Sequence, residues 1–274
     1  MSIFKHLSAG MTIPGMVLFL SFFLNTPVNG QVVVGLDNWF NAEVHPKTGY
    51  PFHYLWDDTN DSGYSRWGEI FTSKGARIVK MYKPDVESLN SIQVYIIVDP
   101  DSIVENPNPN YFAKQDIDNI VEWVRKGGVL IVLANDVNHC GLSGVNKLLS
   151  RFGMTFNPVM LHPVVNNQYE MGAYTSLPDH PVFKGVQKIY MKEVASIKLS
   201  GNCAPVLTED GQAVMAECRY GTGFVFAVGD PWIYNEYIDN DRLPDSFENR
   251  KAAVNLTDYL ISLVPKEKLP LTGE

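Results

Sequence analysis

Apolar residues fall along this chain in two patterns, short unbroken runs and spaced stripes, and the two alternate. Val32-Val-Val-Gly-Leu36, Ala76 to Met81, Val94-Tyr-Ile-Ile-Val98, Val129-Leu-Ile-Val-Leu133 and Phe224-Val-Phe-Ala-Val228 are runs rich in β-branched or aromatic residues, as strands buried on both faces require. The stripes read as amphipathic helices. Tyr64, Trp67, Ile70 and Phe71 follow the candidate N-cap Ser62, while Ile117, Ile120, Val121 and Val124 stop at Gly127-Gly128. Val145, Leu148 and Leu149 mark a helix up to Gly153, and Ala252, Ala253, Leu256, Tyr259, Leu260 and Leu263 mark a final one from Asn249 to Val264. Strands alternating with helices predict an α/β fold: a mostly parallel sheet with helices on both faces. From Met154 to about Tyr220 the pattern turns β-rich, with Met154-Thr-Phe156, Val164-Val165, Ala195 to Leu199 and a hairpin turn at Asp210-Gly211. That stretch predicts an antiparallel β-rich extension, either an edge of the same sheet or a small annex (154–220).

The apolar runs end in polar residues: Asp37-Asn38, Asp99-Pro-Asp101, Asn135-Asp136 and Asp230. In a parallel sheet, ligands bind beyond the carboxyl ends of the strands, so these groups are expected on one rim. The candidate catalytic groups are Asp37, Asp136, Asp230, Glu236 and His53. The candidate substrate-binding groups are Asn38, Trp39, Trp56, Asn135, His139, Trp232, Tyr234 and Asn235. Carboxylates accept hydrogen bonds from hydroxyls and aromatic faces stack on sugar rings, so the set suits a carbohydrate. A glycosidase-type mechanism needs one carboxyl protonated and another ionised. A plainer role competes, because Asp and Asn also end strands as turn formers and helix caps.

Other chemistries find less support. No His-x-x-x-His or His-x-His pair is present, so neither a metal nor a cofactor is expected; a hard cation on Asp37, Asp99, Asp136 or Asp230 has no loop pattern behind it. Cys140 comes several residues too late to sit on a nucleophile elbow, and Gly127-Gly128 precedes a strand rather than a helix, which excludes a phosphate loop. Cys203 and Cys218 flank the Asp210-Gly211 turn symmetrically and are either a disulfide or two buried thiols.

The N-terminus changes the setting. Residues 1–30 carry Lys5-His6, the apolar run Met16 to Leu24, and small residues at Val28 and Gly30, which reads as a cleaved signal peptide. The run is too short to span a bilayer and no lipid-bearing Cys follows, so the expectation is a periplasmic or secreted protein with no membrane contact after cleavage. What remains is one α/β domain over 31–265 and a polar tail, 266–274. Cleavage removes one lysine and no acid, moving the net charge from −8 to −9, which argues against a nucleic-acid partner.

Four segments carry a family resemblance: Leu36-Asp-Asn-Trp-Phe-Asn-Ala-Glu43, His53-Tyr-Leu-Trp-Asp-Asp58, Gly127-Gly-Val-Leu-Ile-Val-Leu-Ala-Asn-Asp136 and Gly229-Asp-Pro-Trp-Ile-Tyr-Asn-Glu-Tyr-Ile-Asp239. The chain resembles the glutamine-amidotransferase-like domains found alone or fused to unsaturated rhamnogalacturonyl hydrolases in polysaccharide-degrading bacteria. The resemblance implies a flavodoxin-like fold, export, and a place in the breakdown of pectin, rhamnogalacturonan or arabinogalactan beside other glycan-degrading enzymes. On that footing the expected function is a hydrolase or lyase on uronic-acid or rhamnose-containing oligosaccharides, the alternative being a non-catalytic glycan-binding or accessory module. The amidotransferase Cys-His-Glu triad is not matched, so glutamine hydrolysis is not carried over.

Overall fold

The computed structural model describes residues 30–45, 47–137 and 139–268; the expected signal peptide lies outside them except for Gly30, as does the tail from 269 onward. Strands β1 (Val33–Asp37), β2 (Arg77–Met81), β3 (Val94–Val98) and β4 (Val129–Leu133) alternate with helices α1 (Ser65–Ser73), α2 (Val86–Asn90) and α3 (Lys114–Arg125). Helix α4 (Leu142–Leu149) leads to β5 (Met154–Phe156), two short strands β6 (Ala173–Tyr174) and β7 (Ile189–Tyr190), and β8 (Ile197–Leu199). The hairpin β9 (Ala204–Glu209) and β10 (Gln212–Tyr220) precedes β11 (Gly223–Val228), and α5 (Asn235–Ile238) and α6 (Asn249–Ser262) close the fold.

The main sheet has the order β2-β1-β3-β4-β11-β10-β8-β5, with β9 also paired to β10. Its first five strands run parallel, and from β11 to β10 and beyond the pairing is antiparallel. This is the flavodoxin-like α/β arrangement that was expected. The β-rich stretch extends the same sheet, while β6 and β7 form a separate two-stranded sheet. Val164-Val165 forms no strand.

Both faces of the parallel half are buried, which is why its strands read as unbroken apolar runs. Val94, Ile96 and Val98 of β3 and Phe224, Phe226 and Val228 of β11 face the core under α1 and α6. The alternate residues Tyr95, Ile97, Val225 and Ala227 face the core under α3 and α4. Helix α1 begins at Ser65 rather than after Ser62, and its N-cap Tyr64 offers no side-chain cap. The Arg66 N–H instead donates to Asn235 Oδ1 at 3.1 Å, a partner distant in sequence that local pattern does not reveal. Among the described residues, no helix is long and apolar enough to cross a membrane.

Candidate functional site

Because β1, β3, β4 and β11 are parallel, Asp37, Asp99, Asn135-Asp136 and Asp230 all leave the sheet at one edge. The sheet divides that rim into two sides. On the side covered by α3 and α4, Asp37 is turned toward Tyr95, whose hydroxyl donates to Oδ1. Its Oδ2 accepts from the backbone N–H groups of Trp39, Phe40 and Asn41 at 3.3, 2.7 and 3.1 Å. Asp37 therefore caps a turn, and burial pushes its carboxyl up to about 7 against the pull of those bonds. A cavity of about 540 Å³ on this side is walled by Phe112, Leu142 and Phe156. Its one acid, Asp101, already accepts from Ala42 N–H and Asn106 Nδ2. Cys140, also in its wall, is buried, and burial holds the thiol well above its ordinary range, which does not suit a nucleophile.

The other side is different in kind. A cavity of about 370 Å³ is lined by Glu43, His53, Tyr54, Ser62, Asp99, Glu105, Asn135, His139, Lys192, Glu193, Tyr234 and Glu236. Five carboxyl groups thus face a single lysine and two histidines. Asp99 accepts at Oδ2 from the Tyr54 hydroxyl at 2.7 Å and from Asn135 Nδ2 at 3.5 Å, while its Oδ1 has no hydrogen-bond partner. Burial holds Asp99 well above the usual carboxylate range. Glu236 is likewise pushed up by burial, to about 7, and its Oε2 has no partner. Two histidine–carboxylate pairs complete the cavity. His139 Nδ1 lies 2.6 Å from Oδ2 of the buried Asp136, whose hydrogen bond raises the imidazole's pKa, and His53 Nδ1 lies 3.6 Å from Glu43.

Backbone conformation also singles out this cavity. Asp99 (φ +41°), Glu193 (φ +53°), His53 (φ +62°) and Tyr54 (φ +49°) all line it in the left-handed region. Such conformations cost energy in residues with a Cβ and gather where a site needs its groups aimed in a particular direction.

The structure thus brings Glu236, His53, Asn135, His139 and Tyr234 to one cavity, with Asp136 directly behind His139. It places the remaining candidates elsewhere. Asp230 is buried and does not line the cavity; its Oδ2 accepts from Lys192 N–H at 2.8 Å, and burial pushes its carboxyl up to about 8. Its contact is with the segment that carries Lys192 and Glu193. Trp56 and Trp232 belong to the core, Trp56 against Trp67 and Phe71, so neither offers a face for ring stacking. Trp39 packs on the opposite core, and Asn38 lines a separate depression of about 120 Å³. Asn235 spends its amide on Asp58 O, Asn60 O and Ser65 Oγ.

The sequence pattern did not point to Tyr54, Ser62, Glu105, Lys192 and Glu193. Glu43 stands in the polar continuation of β1, and Asp99 is legible in the sequence as a strand end and as one of the carboxylates that could hold a hard cation. Lys192-Glu193 lies in an irregular segment between β7 and β8, where the strand-end rule has no purchase; two adjacent charges before the apolar Val194-Ala195 were the only sign.

No family model matches the chain, and no curated protein matches it. Among solved structures it is similar to the mmIFT52 N-terminal domain, with 13% identity over 84% of this chain and 97% of that one at a TM-score of 0.62. It is also similar to part of a cold-adapted β-galactosidase from Rahnella, with 13% identity over 88% of this chain and 32% of that one at a TM-score of 0.52. A ThuA-like protein from Bacteroides uniformis, of glutamine-amidotransferase-like fold, matches at 11% identity over 88% of this chain and 96% of that one, with a TM-score of 0.46. At these identities the likeness concerns the fold.

Proposed function

We propose that the chain is an exported carbohydrate-active protein, a hydrolase or lyase acting on uronic-acid or rhamnose-containing oligosaccharides of plant glycans. One observation carries the reading: a cavity at the carboxyl ends of β3 and β4 combines many hydrogen-bond acceptors with a carboxyl, Glu236, whose pKa of about 7 keeps much of it protonated at neutral pH. Acceptors suit a polyhydroxylated ligand, and a protonated carboxyl beside ionised groups is what acid–base chemistry at a glycosidic bond requires. Glu236 donates the proton, and the His53–Glu43 pair accepts one. Tyr54 and Tyr234, rather than the tryptophans, supply the aromatic edges of the cavity. The family resemblance supports the plant-glycan setting.

A second reading has its own support. The fold occurs as about a third of a β-galactosidase chain, which suits an accessory module that holds glycan for another enzyme. Incubating the protein with rhamnogalacturonan and arabinogalactan oligosaccharides and weighing the products by mass spectrometry separates the two. The enzyme reading expects a product mass, with Glu236→Gln and His53→Ala each lowering the rate by roughly 100-fold or more while circular dichroism stays unchanged. Binding without product favours the accessory module, and neither binding nor product removes both readings.

A further inference from the structure

We propose that the cavity holds a divalent transition-metal ion, zinc or manganese, on Asp136, His139 and Glu193. One ligand atom from each of these three side chains lies within 4.8 Å of the other two, close enough for a single ion to reach all three with small rotations. They come from separate parts of the chain, the end of β4 and the irregular segment after β7, so the fold itself has to assemble them.

An independent observation points to the same ligand. Asp99 is 4% exposed, lines the cavity, and leaves Oδ1 with no hydrogen-bond partner. An acid oxygen buried without a partner is costly, and either a cation or a water held in the cavity satisfies it. Glu236 Oε2, on the same cavity, is in the same condition. The one lysine in the cavity lining, Lys192, sits 3.6 Å from Glu193 and answers one carboxylate out of the five that line the cavity.

The donor set selects the metal class. An imidazole with two carboxylates is softer than the all-oxygen cages that suit calcium or magnesium, and it leaves positions open for water or a ligand oxygen. A bound cation would also answer a difficulty in substrate choice. A uronate is an anion, and a cavity lined by acids repels it unless a positive ion bridges the two. With Asp136 and His139 engaged by the ion, the His53–Glu43 pair remains to take up a proton. The cation site stands on these side chains alone and does not depend on the sugar reading.

Isothermal titration of the chelator-treated full chain with zinc chloride, and separately with manganese chloride, tests the site without any sugar. The expected result is saturable binding of a single ion, weakened at least roughly tenfold by His139→Ala and by Glu193→Gln. His180→Ala, which removes a histidine paired with Glu217 outside the cavity lining, should leave binding unchanged. Cobalt(II) added to the unmodified chain should give visible absorption bands of a nitrogen- and oxygen-ligated ion, which keeps the test decisive if a variant fails to fold. Absence of saturable binding, binding as tight as the parent's in both cavity variants, or loss only in His180→Ala would overturn the proposal. Metal binding with no sugar product would leave the cation site standing and remove the catalytic reading; the reverse outcome would do the opposite.

Discussion

Asn235 does with one side chain what α1 lacks the local sequence to do for itself. Its Oδ1 accepts from Arg66 N–H in the first turn of α1, and its Nδ2 lies within hydrogen-bonding distance of Asp58 O, Asn60 O and Ser65 Oγ, at 3.0, 2.8 and 3.1 Å. The residue is 1% exposed, so removing the amide leaves a donor and several acceptors that water does not readily reach. Asn235→Ala is expected to cost roughly 2–4 kcal/mol, a few buried groups at about 1–3 kcal/mol each with partial relaxation. Chemical denaturation measures this, and an unchanged midpoint would mean that α1 is capped by other means. The same contacts explain why Asn235 stood out in sequence for the wrong reason. An amide beside an acid and two tyrosines looks like a ligand contact, yet all of its hydrogen-bonding capacity is spent inside the chain. Asp37 repeats the lesson: it stands at a strand end as expected, and the N–H groups of Trp39, Phe40 and Asn41 show that it is there as a cap.

At the scale of elements, the strands of the parallel half were legible because burial on both faces imposes continuous apolar runs, and the rim followed because parallel strands end together. Which side of the rim each acid serves was not legible. It depends on how the chain turns as it leaves the sheet: Asp37 is the last residue of β1, whereas Asp99 follows β3 with a left-handed backbone, and the two serve opposite sides. Helix α5, at four residues, is too short to show a stripe, and the Lys192-Glu193 segment has no periodicity at all. That segment is held in place by the end of β11. Gly229 donates to Val214 O and accepts from Ala195 N–H, and a Cβ at this position would come within 1.8 Å of Ala195 O. No side-chain rotation relieves a clash with backbone. Gly229→Ala should therefore push β11 and the segment before β8 apart, destabilising the protein by roughly 3 kcal/mol or more, the upper end of overpacking costs. Glu193 lies just two residues before Ala195, so the variant should also lose metal binding. Urea denaturation and zinc titration of the same sample check both, and a wild-type midpoint would show that the backbone there has room to move.

For the molecule as a whole, the buried acids set how stability responds to pH. Burial raises Asp37 to about 7, Asp101 to about 6, Asp230 to about 8 and Glu236 to about 7, from ordinary values near 4. In each case the folded state holds a proton that the unfolded chain gives up at lower pH, so folding binds protons between about pH 4 and pH 8. Stability from these groups is fully present below about pH 4 and is lost as pH rises through 6, 7 and 8. Asp57 and Asp85 work the other way: a lysine hydrogen bond lowers the first and the Ser88 N–H lowers the second, and their contribution is lost only as pH falls below the ordinary carboxylate range. Asp57 is exposed and Asp85 is partly so, and solvent screening keeps their effect small beside that of the buried set. The metal-free protein should therefore be most stable in mildly acidic solution, with a thermal midpoint that falls steadily from pH 5 to pH 8. The fall should be roughly 2–4 °C for each kcal/mol lost. Asp230→Asn keeps the shape of that carboxyl without its ionisation, so it should make the whole fall shallower, most clearly between pH 7 and pH 8, above the values of Asp37, Asp101 and Glu236. Thermal scans of both proteins across this range, after chelator treatment, measure the effect directly. A midpoint that rises from pH 5 to pH 8, or a variant with the same slope as the parent near pH 8, would show that Asp230 is not held protonated by its burial.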